Sequence, residues 1–247
     1  MDRRRLLKLG AAQVLGMALH GAIARSALAQ QSELIWDYVG TNEPSAWGTL
    51  SPDFATCAIG HAQSPINLTD GTPHDSVPLE IHYTDSPLRL LNTGRTIQVN
   101  YEPGSFITLN GETLHLLQFH FHHPSEHRIK GKPADMELHL LHRSDAGKLA
   151  VVGVMLQAGK PNATLQPIWD RLPDVLGVEQ VNRELRVDAR ELLPGDRHFF
   201  SYSGSLTTPP CTEGVTWLVM QQSVELSKAQ IERFAALYPR NARPIQR

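Results

Sequence analysis

Two stretches, Gln118-Phe119-His120-Phe121-His122-His123-Pro124-Ser125-Glu126-His127 and Glu137-Leu138-His139-Leu140-Leu141-His142, hold six of the chain's twelve histidines. Read as β-strands, the first puts Gln118, His120 and His122 on one face and Phe119 and Phe121 on the other. In the second, Glu137 and His139 share a face while Met136, Leu138 and Leu140 take the opposite one. A lone histidine in such a place is ordinarily a core residue satisfied by one hydrogen bond. Three of them, each beside a Gln or Glu, are costly to bury without a further partner. A metal ion supplies it, and three neutral imidazoles with a fourth position open are the donor set of a catalytic zinc site. Gln118 and Glu137, one strand repeat from His120 and His139, would accept the ring N–H that the metal leaves unused and so fix tautomer and ring angle.

In chain order QFHFH, SEH and ELHLLH are followed by Ser205-Leu206-Thr207-Thr208-Pro209-Pro210. This series resembles the α-class carbonic anhydrases, from about Trp36 to Pro244. The resemblance implies Zn2+ on His120, His122 and His139, and reversible hydration of carbon dioxide to bicarbonate and a proton by a zinc-bound hydroxide. It makes Thr207 the hydroxyl that orients the hydroxide, Glu126 the carboxylate behind it, and Thr208 a substrate-facing neighbour. Without it, Thr207 reads as a loop threonine and Glu126 as a surface acid. It also places an apolar wall for carbon dioxide on Leu141, Val151, Leu206 and Trp217, each of which reads from pattern alone as ordinary core. His127 and His142 fall on supporting positions outside the ligand set. Ester hydrolysis is the side activity such a nucleophile implies.

One departure from the family pattern concerns the proton. The histidine that passes protons to solvent lies in the family's Asn-Gly-His run, and here the run reads Asn92-Thr93-Gly94-Arg95. Arginine does not release a proton near neutral pH, its pKa lying above about 12. The expectation is a slower enzyme that depends on buffer. His123 is a poor substitute, since it points to the face opposite His122.

Two rivals compete with this reading. His120-x-His122-x3-Glu126 also fits the HxHxxxE run of cupins, where the glutamate would bind iron or manganese, but the glycines expected around that run are missing. The other is a catalytically silent binding module of the same fold, against which all three histidine positions are retained.

The elements that must hold these residues read as short strands: 88–92, 96–101, 106–109, 113–122, 136–142, 149–156, 199–203 and 215–222, separated by turn residues such as Asn110-Gly111. Leu165, Ile168, Trp169 and Leu172 make one helical stripe, and Ser227-Lys228-Ala229-Gln230 reads as a capping box opening a second helix. Trp36 to Leu68 reads as an irregular wrap. The chain is thus mainly β with peripheral short helices. The resemblance adds a single domain, 30–247, around a central twisted, largely antiparallel sheet of about ten strands. It also makes Ser64–Pro65 a cis bond.

At 247 residues, 41% hydrophobic and 19% charged, the composition is that of one ordinary globular domain. No basic stripe marks a nucleic-acid partner. Residues 1–29 read as a leader: Arg3-Arg4-Arg5-Leu6-Leu7-Lys8 resembles a twin-arginine signal, an apolar run extends from Leu9 to Ile23, and Ala27-Leu28-Ala29 offers a cleavage site. That run is shorter than the ~20 residues of a membrane span, so no stable anchor is expected. Cleavage after Ala29 leaves 18 basic and 24 acidic residues, a net charge of −6. A periplasmic or secreted location makes Cys57 and Cys211 a disulfide rather than two buried thiols, worth roughly 5 kcal/mol on the chain-entropy account for so long a loop.

Overall fold

A computed structural model describes residues 36–246; the expected leader, 1–29, lies outside the described residues. The strands, in chain order, are β1 (Asn67–Leu68), β2 (Leu79–His82), β3 (Asp85–Asn92), β4 (Ile97–Asn100), β5 (Phe106–Leu109), β6 (Glu112–His122) and β7 (Arg128–Ile129). They continue with β8 (Lys132–Pro133), β9 (Met136–Arg143), β10 (Leu149–Ala158), β11 (Glu179–Asp188), β12 (Phe199–Ser205), β13 (Glu213–Met220) and β14 (Val224–Leu226). Eleven of these form one sheet whose main path is β11-β3-β4-β6-β9-β10-β13-β12. Most neighbours are antiparallel, while β10 runs parallel to both β13 and β14. A small second sheet joins β1, β7 and β8.

Alternation sorts the side chains of the central strands. Phe119 and Phe121 of β6, Met136, Leu138 and Leu140 of β9, and Val152 and Val154 of β10 all enter the larger core. The helices cap that side: Trp169 of α3 (Gln166–Trp169) and Phe234 of α4 (Lys228–Ala235) both pack on Phe121, with ring centroids 4.9 and 6.0 Å away. Burying each such side chain is worth about 1.5–3 kcal/mol. The opposite face of β10 and β13 carries Val151, Met155, Trp217 and Val219 into a second, smaller core. β10 is apolar on both faces because it is covered on both.

The helix expected over 165–172 is only the single turn α3, with Pro167 in its first turn, where the missing N–H costs nothing. α4 opens on the predicted capping box: Ser227 Oγ accepts from Gln230 N at 3.2 Å and Gln230 Oε1 accepts from Ser227 N at 3.0 Å. The wrap before β1 contains two further short helices, α1 (Trp47–Leu50) and α2 (Thr56–Ile59). Cys57 of α2 is disulfide-bonded to Cys211, 154 residues away. Ser64–Pro65 is cis, as are His123–Pro124 and Pro209–Pro210.

The predicted strands omit β11, whose residues Glu179, Gln180, Asn182, Arg183, Glu184 and Arg186 leave little apolar pattern to detect. It is an edge strand, largely open to solvent, held by an Arg89–Glu179 pair at 2.8 Å and an Arg186–Asp85 pair.

Candidate metal centre and active site

β6 and β9 pair so that His120 stands opposite His139 and His122 opposite Glu137. The three rings converge, with centroids 5.0 Å apart for His120 and His122, 5.3 Å for His120 and His139, and 4.5 Å for His122 and His139. One ring nitrogen from each lies within 4.8 Å of the others.

The remaining nitrogens meet acceptors. His120 Nδ1 is 2.9 Å from Gln118 Oε1, His122 Nδ1 is 2.7 Å from the Asn241 carbonyl, and His139 Nε2 is 2.9 Å from Glu137 Oε1. A carbonyl or carboxylate oxygen accepts, so each of these nitrogens donates, and each imidazole is left with one lone pair. Those lone pairs sit on His120 Nε2, His122 Nε2 and His139 Nδ1. Burial, followed by mutual repulsion among the rings, holds His120 well below the ordinary histidine range; burial lowers His122 to about 4. Burial lowers His139 as well, against the attraction of Glu137. All three are therefore neutral at pH 7, and His122 Nε2 is buried with no hydrogen-bond partner among the described residues. An orphaned acceptor of this kind is what a cation satisfies, and the donor set fits Zn2+.

Glu137 anchors more than one ring. Its Oε1 also takes His127 Nδ1 at 2.7 Å, and its Oε2 accepts from the backbone N–H of Glu126 and of His127 at 2.8 Å each. Burial would raise this carboxyl, but His127 and His139 outweigh it and hold it well below its usual range. A second possible ligand set, His127, Glu137 and His139, shares these residues. Its atoms are already consumed in the hydrogen bonds just given.

Glu126, read from sequence alone as a surface acid, is buried, as is Thr207. Glu126 Oε1 accepts from Arg243 N at 2.8 Å. Its Oε2 has no partner at strict hydrogen-bond geometry, and the Thr207 hydroxyl stands close enough to lower the carboxyl's pKa, a looser contact than a full hydrogen bond. Burial wins over these influences and raises Glu126 to about 7. Glu126 belongs to neither group of prospective ligands, which counts against the cupin arrangement.

Val151 and Trp217 lie in the smaller core with Leu141 and Leu206 packed against it, so the four wall candidates form one apolar surface. Trp217 brings that surface to the metal cluster, its ring 4.8 Å from that of His139. Gly204 makes room there: a Cβ on it would come within 2.2 Å of Ser64 Oγ and 3.0 Å of Trp217. Thr208 lines a cleft of about 210 Å³ together with His120, His122, Gln118, Arg95 and Trp36. Larger cavities of about 450 and 390 Å³ lie beside His123 and beside α4, away from the cluster. Arg95, which the sequence resemblance places where a shuttle histidine is expected, donates from Nε and Nη2 to the Trp36 carbonyl at 3.0 and 2.9 Å. His123 turns away, its Nδ1 on the Pro239 carbonyl at 2.9 Å, and His142 is buried on Tyr83 Oη at 2.8 Å.

Several residues that shape the site gave no signal in the sequence. Arg243 is buried and donates to Gln63, Ser64 and Cys57 while its own N–H holds Glu126. Asn241 orients His122 through a main-chain oxygen, 119 positions away in sequence. Tyr202 Oη bridges His127 Nε2 at 2.6 Å and Ser64 Oγ at 2.8 Å. These partners meet through long-range folding, and no local spacing announces them.

A three-histidine cluster on the polar face of a mixed sheet, beside an apolar wall, defines a candidate metalloenzyme of mainly β architecture. The chain belongs to the eukaryotic-type carbonic anhydrase family, whose profile matches residues 42–246. Carbonic anhydrases are lyases, and the fold and family support hydration of carbon dioxide. It is 48% identical to a carbonic anhydrase of Nostoc sp., over 99% of this chain and 94% of that protein. Among solved structures it is similar to the α-carbonic anhydrase of Thermovibrio ammonificans in complex with the inhibitor sulfanilamide, at 38% identity and a TM-score of 0.82. That match covers 86% of this chain and 95% of the other. It is also similar to dioscorin complexed with ascorbate, at 30% identity and a TM-score of 0.79 over 86% of this chain and 94% of the other.

Proposed function

We propose that this protein is a zinc-dependent carbonic anhydrase that interconverts carbon dioxide and bicarbonate, with His120 Nε2, His122 Nε2 and His139 Nδ1 holding the metal. The observation that carries this reading is the set of three acceptors, Gln118, Asn241 and Glu137, which leaves three lone pairs on converging rings. When bound, zinc supplies a Lewis acid that ionises water near neutrality, with a pKa of about 7 in carbonic anhydrase itself.

The chain's own residues do the rest. Thr207 accepts the nucleophile's remaining proton in a hydrogen bond and donates its own toward Glu126, which turns a lone pair of the nucleophile to the substrate. Glu126 serves only while it is an acceptor. Its pKa is raised to about 7 by burial, and a cation beside it favours the ionised form. Leu141, Val151, Leu206 and Trp217 offer carbon dioxide an apolar resting place without competing hydrogen bonds, and Thr208 faces the substrate. Arg95 passes on no proton, so turnover draws on buffer in solution. Ester hydrolysis is a side reaction of the same nucleophile. Export by the leader, with the Cys57–Cys211 disulfide formed outside the cytoplasm, completes the reading; among the described residues no helix is long and apolar enough to cross a membrane.

The complex of dioscorin with ascorbate is the specific reason to keep a binding module in view. Titration of chelator-treated protein with zinc separates the two. An enzyme gains hydration activity in proportion to bound zinc up to one ion per chain, and His122→Ala abolishes both. Full zinc occupancy without hydration would overturn the enzyme reading.

A further inference from the structure

Arg95 is half-buried. Arg89, Arg186 and Arg190 are each neutralised by a carboxylate, from Glu179, Asp85 and Asp188. Arg95 has no carboxylate partner; Nε and Nη2 are spent on the neutral Trp36 carbonyl, and Cζ lies 4.1 Å from the centre of the Trp36 ring. Nη1 is left without a hydrogen-bond partner among the described residues. The guanidinium is thus oriented but its charge is not cancelled. It lines the same cleft as His120, His122 and Thr208, and no Asp, Glu or Lys shares that lining.

We propose that Arg95 makes the mouth of this cleft selective for small oxyanions, so that anionic bases collect the reaction's proton in preference to neutral bases of equal strength. The same charge draws bicarbonate in for the reverse direction. The proton balance is simple: hydrogen phosphate takes the proton released by hydration and leaves as dihydrogen phosphate, and no other species changes. The guanidinium supplies a unit charge and a fork suited to oxyanions. A dianion about 7 Å from one unit charge in water is enriched about 5- to 10-fold, and added salt screens that gain. This inference rests on the carbonic anhydrase reading. A purely structural Arg95, strapping Trp36 over the sheet, would not favour one buffer charge over another.

The test uses the zinc-loaded full mature protein and measures the buffer-dependent rate of carbon dioxide hydration with phosphate and with an imidazole of matched pKa. The ratio of the two second-order constants is compared between the wild type, Arg95→Lys and Arg95→Gln. The expected result is a ratio about 5- to 10-fold higher in the wild type than in Arg95→Gln, largely retained in Arg95→Lys, and collapsing as ionic strength rises from ~10 mM to ~0.5 M. The KM for bicarbonate, a monoanion, should rise by only about 2- to 3-fold in Arg95→Gln. An equal ratio in wild type and Arg95→Gln, or a wild-type ratio indifferent to salt, overturns the proposal; the salt series needs no variant and stands if Arg95→Gln fails to fold. Absence of hydration at every buffer concentration would instead defeat the enzyme reading on which it rests.

Discussion

Glu137 Oε1 lies 2.9 Å from Nε2 of His139, both side chains on the same face of β9 and both buried. The same carboxylate gathers His127 and two backbone N–H groups, so it orients His139 and the turn that carries Glu126. Replacing it with Gln keeps the size but offers one acceptor oxygen where two are used. Glu137→Gln is expected to weaken zinc binding about 10- to 100-fold, measured by competition with a chromophoric chelator. Unchanged affinity would mean that the rings are held by the strands alone.

Thr207 tests orientation separately from metal binding. Thr207→Ala should keep one zinc per chain and lose about a hundredfold in kcat/KM, the usual scale for removing one well-placed catalytic hydrogen bond. Thr207→Ser should recover most of it. Loss of zinc in Thr207→Ala would show that the hydroxyl does something other than point the nucleophile.

The disulfide is expected to act chiefly on the unfolded chain. Closing a loop with a sequence separation of 154 residues corresponds to about 5 kcal/mol on the chain-entropy account, an upper figure for the loss on reduction or in Cys57→Ser/Cys211→Ser. Urea unfolding of the two forms at equal zinc occupancy measures it. A difference under about 1 kcal/mol would contradict that account.

His142 gives a pH signature outside the ligand set. Burial lowers its pKa to about 3, against backbone contacts at Ala150 and Leu140. The unfolded chain takes up this proton near 6.5, so as pH falls below that value the unfolded state binds more protons and stability drops, until the native residue also titrates near 3. At pH 5 the cost is about 2 kcal/mol. The variant His142→Gln should therefore unfold with a shallower pH dependence between pH 6.5 and 4 than the wild type, whatever its stability at pH 7. Parallel curves would refute it.

Much of the site was legible because strand parity is a two-residue rule: once 113–122 and 136–142 read as strands, Gln118, His120, His122, Glu137 and His139 fell on polar faces without any knowledge of the fold. The roles proposed for Thr207 and Glu126 came only through resemblance, since a threonine in a loop and an acid after a serine carry no periodic signal. Arg243, Asn241 and Tyr202 were missed because their partners lie far along the chain. β11 was missed because an exposed edge strand has no buried face to make its sequence alternate.

The central claim, that His120, His122 and His139 would hold a zinc ion able to ionise water near neutrality for the hydration of carbon dioxide, is tested most directly by the pH profile of kcat/KM for hydration by the zinc-loaded protein. The account predicts a rise through a single inflection near pH 7, independent of buffer concentration, because proton transfer to buffer does not enter kcat/KM. A flat profile, or activity that falls as pH rises through 7, would contradict it.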